Sequence, residues 1–240
     1  MPLRNNMVWF IGAYVAIVLA VDTLAVMPDA RQFGVNWRIF HWRADGLLAQ
    51  FDYFKFVFWL VVPLVWCAAM ARVARKYAPE AAQENMRWDW AYFGFSRWKR
   101  SDIHLLSVLT ILGAISVLAI LFIPALREYY PSSRELPWDT KLRHLRQFLL
   151  WNISWLPAWE FMLRYFLLRP FAERWPRFGW LVVPVFEGVY HLQKHPLEAL
   201  LMFGAGLVFT AWVVRRKNLM LPLIVHGSVE VGLMAFLVLV

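Results

Sequence analysis

Three apolar segments in the carboxy-terminal half of the chain each carry two ionisable side chains spaced four positions apart. Residues at this spacing lie on the same face of an α-helix, so each segment presents both groups in one direction. A charged side chain in a membrane-spanning helix costs about 2.5–3.5 kcal/mol on insertion scales, and such residues generally serve a function. The three pairs are Glu160 with Arg164, Glu187 with His191, and His226 with Glu230.

Carboxylates and imidazoles that converge in a poorly hydrated space can activate water and stabilise an oxyanion, which is the chemistry of a hydrolase. A single pair could equally be a structural ion pair that locks two helices together. Three pairs between residues 160 and 230 are better explained by one shared polar cavity near mid-membrane. Small residues on the same helices would let the backbones approach closely: Gly188, Gly204, Gly206 and Gly227.

The composition indicates that these segments lie in a bilayer. Of the 240 residues, 61% are hydrophobic and 17% are charged, which is too apolar for a soluble domain of this length. The single cysteine, Cys67, excludes an intramolecular disulfide and a thiolate metal cluster. The net charge of +9 comes from bases that flank the apolar segments, a distribution that favours contact with lipid headgroups and argues against nucleic acid as a partner.

The chain is therefore expected to form an all-α polytopic membrane protein, a bundle of about seven to eight transmembrane helices. Residues 1–135 would hold amino-terminal helices and an interfacial loop at 76–103, and residues 136–240 the helices that carry the polar pairs. An excess of Lys and Arg on one side predicts a cytoplasmic amino terminus, with the first span retained as an anchor. The predicted spans are 7–26, 53–75, 104–126, 146–168, 179–194, 198–214 and 219–239.

The fourth span contains two further local features. Pro157 removes a backbone donor from the helix and can kink it one turn before Glu160. Trp151, Trp155 and Trp159 recur every four residues and so form a stripe, which is typical of packing or lipid contact rather than of a ligand site.

The ionisable pairs resemble the motifs of the CPBP (Abi) family of intramembrane proteases, which includes the type II CAAX prenyl endopeptidases. That family has E-E-x-x-x-R, F-x-x-x-H and H-x-x-x-N/D on separate helices. Here the motifs read "WEFMLR", "EGVYH" and "HGSVE", in a region of about residues 140–240. Trp159 replaces the first Glu, Glu187 stands where Phe is usual, and Glu230 replaces Asn or Asp. The stretch "HLQKHPLEALLMFGAGLVFTAWVVRRKNLMLPLIVH" is also similar to a branch of the family that carries a W-E-F-x-x-R first motif.

The resemblance implies roles for these side chains in a peptidase of the bacterial inner membrane. Glu160 would be the base that activates water, oriented by Arg164, with His191 as its partner. His226 and Glu230 would bind the oxyanion and the substrate carbonyl. Glu187 is expected to contact substrate and is the second candidate for the base, because Trp159 removes the carboxylate that usually serves.

The sequence thus predicts an intramembrane endopeptidase that hydrolyses a membrane-associated protein or peptide and uses no cofactor. Metal dependence is not expected, because no H-E-x-x-H pairing is present and Arg164 would repel a dication beside Glu160. Two other functions stay open: an inactive family member that acts as a scaffold or chaperone, and a proton-coupled transporter that uses the same groups as a relay. The sequence does not indicate the oligomeric state.

Overall fold

The described residues of the computed structural model, 2–26, 51–77, 89–94, 97–130 and 135–239, form helices joined by short turns, with no strand among them. Local start and stop signals set several helix ends. Asp139 lies in the first turn of the helix that follows Pro137, and Pro196 occupies a first-turn position behind His195. The α-helices are α1 Pro2–Val26, α2 Tyr53–Lys55, α3 Val62–Tyr77, α4 Arg100–Leu118, α5 Pro124–Tyr129, α6 Trp138–Phe161, α7 Leu168–Arg174, α8 Val182–His191, α9 Pro196–Arg216 and α10 Met220–Leu239.

Two of these helices continue into their neighbours through π-helical turns. Phe56–Val61 joins α2 to α3, and Met162–Leu167 joins α6 to α7. Pro157 lies inside α6 without ending it. The wider turn begins one residue after α6 ends, and π-helical turns of this kind are frequent at functional sites.

All seven predicted spans fall on helices, which confirms a polytopic all-α membrane protein. In the described part of the chain, five helical segments are long and apolar enough to cross a bilayer: Asn6–Leu24, Tyr53–Val73, Arg100–Leu121, Pro196–Arg216 and Met220–Val238. The fifth prediction, 179–194, starts with the 3₁₀ turn Gly179–Leu181 and runs three residues past the end of α8 at His191. At about 1.5 Å per residue, α8 extends only about 15 Å, half the thickness of the hydrocarbon core.

The helices that carry the ionisable pairs pack beside one another. The short α8 and the long α9 form an antiparallel hairpin, and α10 packs between α4 and α6. The amino-terminal α1 lies against α7, α8 and the π-helical turn between α6 and α7. The amino-terminal α1 therefore packs against two of the helical segments that hold the polar residues, the π-helical turn and α8.

The loop before α4 is fastened to the turn between α9 and α10. The backbone N–H of Leu219 donates to the Tyr92 carbonyl over 2.7 Å. The Asn218 side chain donates to the carbonyls of Ala91 and Gly94. Part of the predicted interfacial loop, residues 78–88 and 95–96, lies outside the described residues, as do the bases between residues 27 and 50 that entered the orientation argument.

The tryptophan stripe packs as expected. The Trp151 and Trp155 rings lie 5.1 Å apart, and the Trp159 ring lies 5.3 Å from Trp59 on the facing π-helical turn. Trp155 and Trp159 are both buried.

Candidate active site

The Arg164 guanidinium lies between two buried carboxylates from different helices. Its Nη1 contacts Glu160 Oε2 at 2.5 Å. Its Nη2 contacts Glu187 Oε1 at 2.6 Å and Oε2 at 2.8 Å. The three side chains are at most 2% exposed. Because an unpaired charge in this environment would be costly, each carboxylate depends on the shared guanidinium.

Gly206 of α9 leaves the space that Glu187 occupies. A Cβ at this position would lie 2.2 Å from Glu187 Oε2 and 3.0 Å from Pro184 Cα. Gly188 similarly lets α8 approach Phe203, with a Cβ contact of 3.2 Å, whereas Gly204 would meet nothing within 4 Å. The close backbone approach expected from small residues is therefore confirmed at Gly206 and Gly188 but not at Gly204.

Trp159, which replaces the first Glu of the family motif, also contacts Glu187. Its indole Nε1–H donates to Glu187 Oε1 over 3.3 Å. The same ring lies 5.0 Å from Tyr190 and 6.0 Å from His191. The Trp159 indole on α6 thus contacts the carboxylate that α8 contributes to the site.

His226 links this buried group to α10. Its Nδ1 lies 3.0 Å from Glu160 Oε1, and because an ionised carboxylate only accepts hydrogen bonds, Nδ1 carries the hydrogen. Its Nε2 lies 3.9 Å from Glu230 Oε1. Glu160 therefore orients His226, so that Nε2 points toward the more exposed Glu230.

His191 is oriented in a comparable way by the backbone. Its Nδ1 lies 2.7 Å from the Glu187 carbonyl oxygen, which can only accept, so Nδ1 again carries the hydrogen. In the neutral ring Nε2 then holds the lone pair that a general base requires. The position of His191 at the end of α8 places this nitrogen beside the turn that leads into α9.

The structure brings all six predicted site residues into one connected group. Glu160, Arg164 and Glu187 form its buried part, whereas His191, His226 and Glu230 lie toward its edge. Both Glu160 oxygens already accept bonds from Arg164 and His226, so Glu160 contacts the rest of the site through His226. Its role as the base that activates water stays a prediction.

Sequence reasoning missed a carboxylate at the edge of this group. Glu198, in the first turn of α9, lies 4.0 Å from His191 Nε2. It pairs with Lys194 at 2.6 Å and accepts a hydrogen bond from the Tyr130 hydroxyl. The feature of the sequence that could have indicated Glu198 was its position as an ionisable residue within the apolar run "HPLEALL".

A second missed cluster supports the site from α1. Tyr190, next to His191, donates to the buried Asp22 carboxylate over 2.6 Å. Lys55 Nζ lies 3.7 Å from Asp22 and 3.4 Å from Asp52. The same ammonium lies over the rings of three tryptophans: Trp59 at 5.1 Å, Trp151 at 5.3 Å and Trp155 at 6.0 Å.

Within the described ranges, no three His, Cys, Asp or Glu side chains are arranged so that they could hold a metal ion. The buried carboxylates of Glu160 and Glu187 are instead paired with Arg164. The predicted metal independence of the chemistry is not tested by this arrangement and stays a prediction.

Residues 144–232 match the family model described as type II CAAX prenyl endopeptidase Rce1-like. The matched region contains all six predicted site residues and Glu198, and it supports the resemblance to the CPBP family at the family level. No curated protein and no solved structure gives a significant match to the chain.

Proposed function

We propose that this chain is an intramembrane endopeptidase of CPBP type that hydrolyses a peptide bond of a membrane-associated protein or peptide. The observation that carries the proposal is the arrangement of two imidazoles from different helices. Each has its Nδ1–H bound to a fixed acceptor and its Nε2 directed toward a partly exposed carboxylate. The family match over the same residues supports this reading.

In the proposed reaction, His191 Nε2 accepts a proton from a water molecule as its oxygen attacks the substrate carbonyl carbon. The oxyanion that forms accepts a hydrogen bond from Nε2–H of His226, when that ring carries its second proton. Glu160 supports this imidazolium through Nδ1, as a buried carboxylate does in other carboxylate–imidazole pairs. Preorganised donors of this kind typically contribute about 10²–10³-fold to kcat.

Glu160 and Arg164 thus belong to the proposed catalytic group, Glu160 through its contact with His226 and Arg164 through its contact with Glu160. Glu230, 3.9 Å from His226 Nε2, is proposed to bind the substrate near the scissile carbonyl. Glu187 holds Arg164 and supplies the carbonyl that orients His191. The membrane around the protein is proposed to be a bacterial inner membrane, with the amino terminus in the cytoplasm.

The test compares the protein termini in membranes of cells that carry the wild-type chain, no chain, His191→Gln or His226→Gln. Terminal proteomics should find a membrane protein whose cleaved form requires the wild-type chain and is lost in both variants, while both accumulate normally. His104→Gln is the matched control, because His104 is exposed on α4 and should leave cleavage intact.

Cleaved termini that are identical with and without the chain would refute the endopeptidase. Cleavage that persists in both His191→Gln and His226→Gln would refute the assignment of the site. Once a cut is known, a fluorogenic peptide that spans it allows the purified protein to be assayed directly.

A further inference from the structure

Like Glu230 beside His226, Glu198 combines contact with an imidazole and an exposed edge. Its side chain is 18% exposed and that of His191 is 8% exposed. Glu160 and Glu187, by contrast, are at most 2% exposed and are both paired with Arg164. Since the attacking water must reach its base, the exposed edge of the cluster is better suited to activate it than the buried centre.

The atoms of His191 and Glu198 that face each other are both hydrogen-bond acceptors, so a molecule that donates two hydrogen bonds can bridge them. His191 Nε2 is an acceptor in the neutral ring, because Nδ1 carries the hydrogen, and the Glu198 carboxylate is also an acceptor. The 4.0 Å between them is too long for a direct hydrogen bond. A water about 2.8 Å from each atom would subtend an angle of about 90°, close to the angle between its own two O–H bonds.

Two neighbours hold Glu198 in this position. Lys194 Nζ binds Oε1 at 2.6 Å, and the Tyr130 hydroxyl donates to Oε2. Burial and the adjacent Glu198 carboxylate raise the pKa of Tyr130 above its ordinary value, so the phenol stays protonated and remains a donor.

We propose that Glu198 is a further catalytic residue, which binds the attacking water together with His191 and accepts a proton from it. This inference rests on the proposed endopeptidase function. The water oxygen forms a bond to the carbonyl carbon while its proton passes to Glu198 or His191 Nε2. The tetrahedral intermediate then collapses, the C–N bond breaks, and the proton is returned to the leaving amine. The second proton of the water is lost from the new carboxylic acid, so the products are one carboxylate and one protonated amine.

The experiment measures kcat and KM for the purified full-length protein on the fluorogenic peptide that spans the identified cut. Loss of a general base lowers the rate by about 10²–10⁴-fold. Glu198→Gln, which keeps the size and the polar contacts, should therefore lower kcat by at least about 100-fold and leave KM within about twofold. Glu198→Asp keeps the carboxylate and should retain at least about tenfold more activity than Glu198→Gln.

Two further variants distinguish a catalytic role of Glu198 from a purely structural one. Tyr130→Phe removes one of the bonds that position Glu198 but keeps its carboxylate, so it should lose less than about tenfold in kcat. Glu128→Gln, an exposed carboxylate on α5, is the matched control and should behave as the wild type. Thermal unfolding of each variant in the same detergent confirms that the compared proteins are folded.

The outcomes distinguish this inference from the function on which it rests. If the wild-type protein does not cleave the peptide, the endopeptidase itself is refuted. If His191→Gln is inactive but folded Glu198→Gln keeps activity within about threefold of the wild type, only the role of Glu198 is refuted. Equal losses in Glu198→Gln, Glu198→Asp and Tyr130→Phe would assign Glu198 to structure and also overturn the proposal.

Discussion

Replacement of Gly206 by alanine should disrupt the buried centre of the site. The new Cβ would lie 2.2 Å from Glu187 Oε2, whereas ordinary contact begins near about 3.5 Å. The carboxylate would have to move by about 1 Å, because the Pro184 backbone on the other side, 3.0 Å from the Cβ, cannot yield easily. A displacement of this size breaks the bonds of 2.6 and 2.8 Å to Arg164.

The expected loss in the free energy of unfolding follows from two effects. Overpacking of a buried site costs about 1–3 kcal/mol. If the Arg164–Glu187 pair separates, the uncompensated buried charge raises the loss to about 3–5 kcal/mol. Gly204→Ala is the matched control on the same helix, because its Cβ meets nothing within 4 Å. This control should be neutral or stabilising by up to about 1 kcal/mol.

Unfolding of the purified variants in one detergent, followed by tryptophan fluorescence, measures this difference. A second arm combines Gly206→Ala with Glu187→Asp, which shortens the side chain by one methylene and relieves the clash. The double variant should be less destabilised than the sum of the two single variants, since contacting residues couple. Equal stability of Gly206→Ala and Gly204→Ala, or strict additivity in the double variant, would refute the steric argument.

Three other predictions follow from the same contacts. Trp159→Glu places a third carboxylate beside Glu187 with only Arg164 to compensate it, so the yield of folded protein on size exclusion should fall. The additional change Glu187→Phe should restore that yield, and a double variant that does not recover would contradict this explanation. Topology reporters fused at Lys217 and within 89–94 should both report a cytoplasmic location, because a backbone hydrogen bond holds these two loops together. An external signal from either reporter would overturn the predicted orientation. The activity of the purified protein should persist in the presence of strong chelators, and elemental analysis should find no bound zinc. Activity that is lost on chelation and restored by zinc would refute the metal-independent mechanism.

The six site residues could be found from sequence because their helical spacing is a local property. A separation of four positions places Glu160 beside Arg164 in any helix, and the apolar surroundings make the charges conspicuous. Their convergence was also predictable, since isolated charges in a bilayer need partners. Which residue on another helix would pair with Arg164 was not predictable. The contact between Arg164 and Glu187 joins α6–α7 to α8, and no local pattern specifies it.

Glu198 was not predicted as a site residue for a related reason. It stands four positions after Lys194, yet Pro196 starts a new helix between them, so helical periodicity does not apply across the pair. Its other contact, with Tyr130, spans 68 positions of the chain. The fifth span was also predicted to run to residue 194, whereas α8 ends at His191.

The substitution at Trp159 becomes intelligible once the charges around Arg164 are considered together. One guanidinium can compensate the two carboxylates that contact it, but a third at position 159 would add an uncompensated negative charge in a dry environment. An indole there supplies a hydrogen-bond donor instead and binds Glu187 Oε1 at 3.3 Å. The carboxylate at this point comes from α8, and Gly206 leaves room for it. Trp at 159 and Glu at 187 therefore leave two carboxylates in contact with Arg164 and place an indole donor beside one of them.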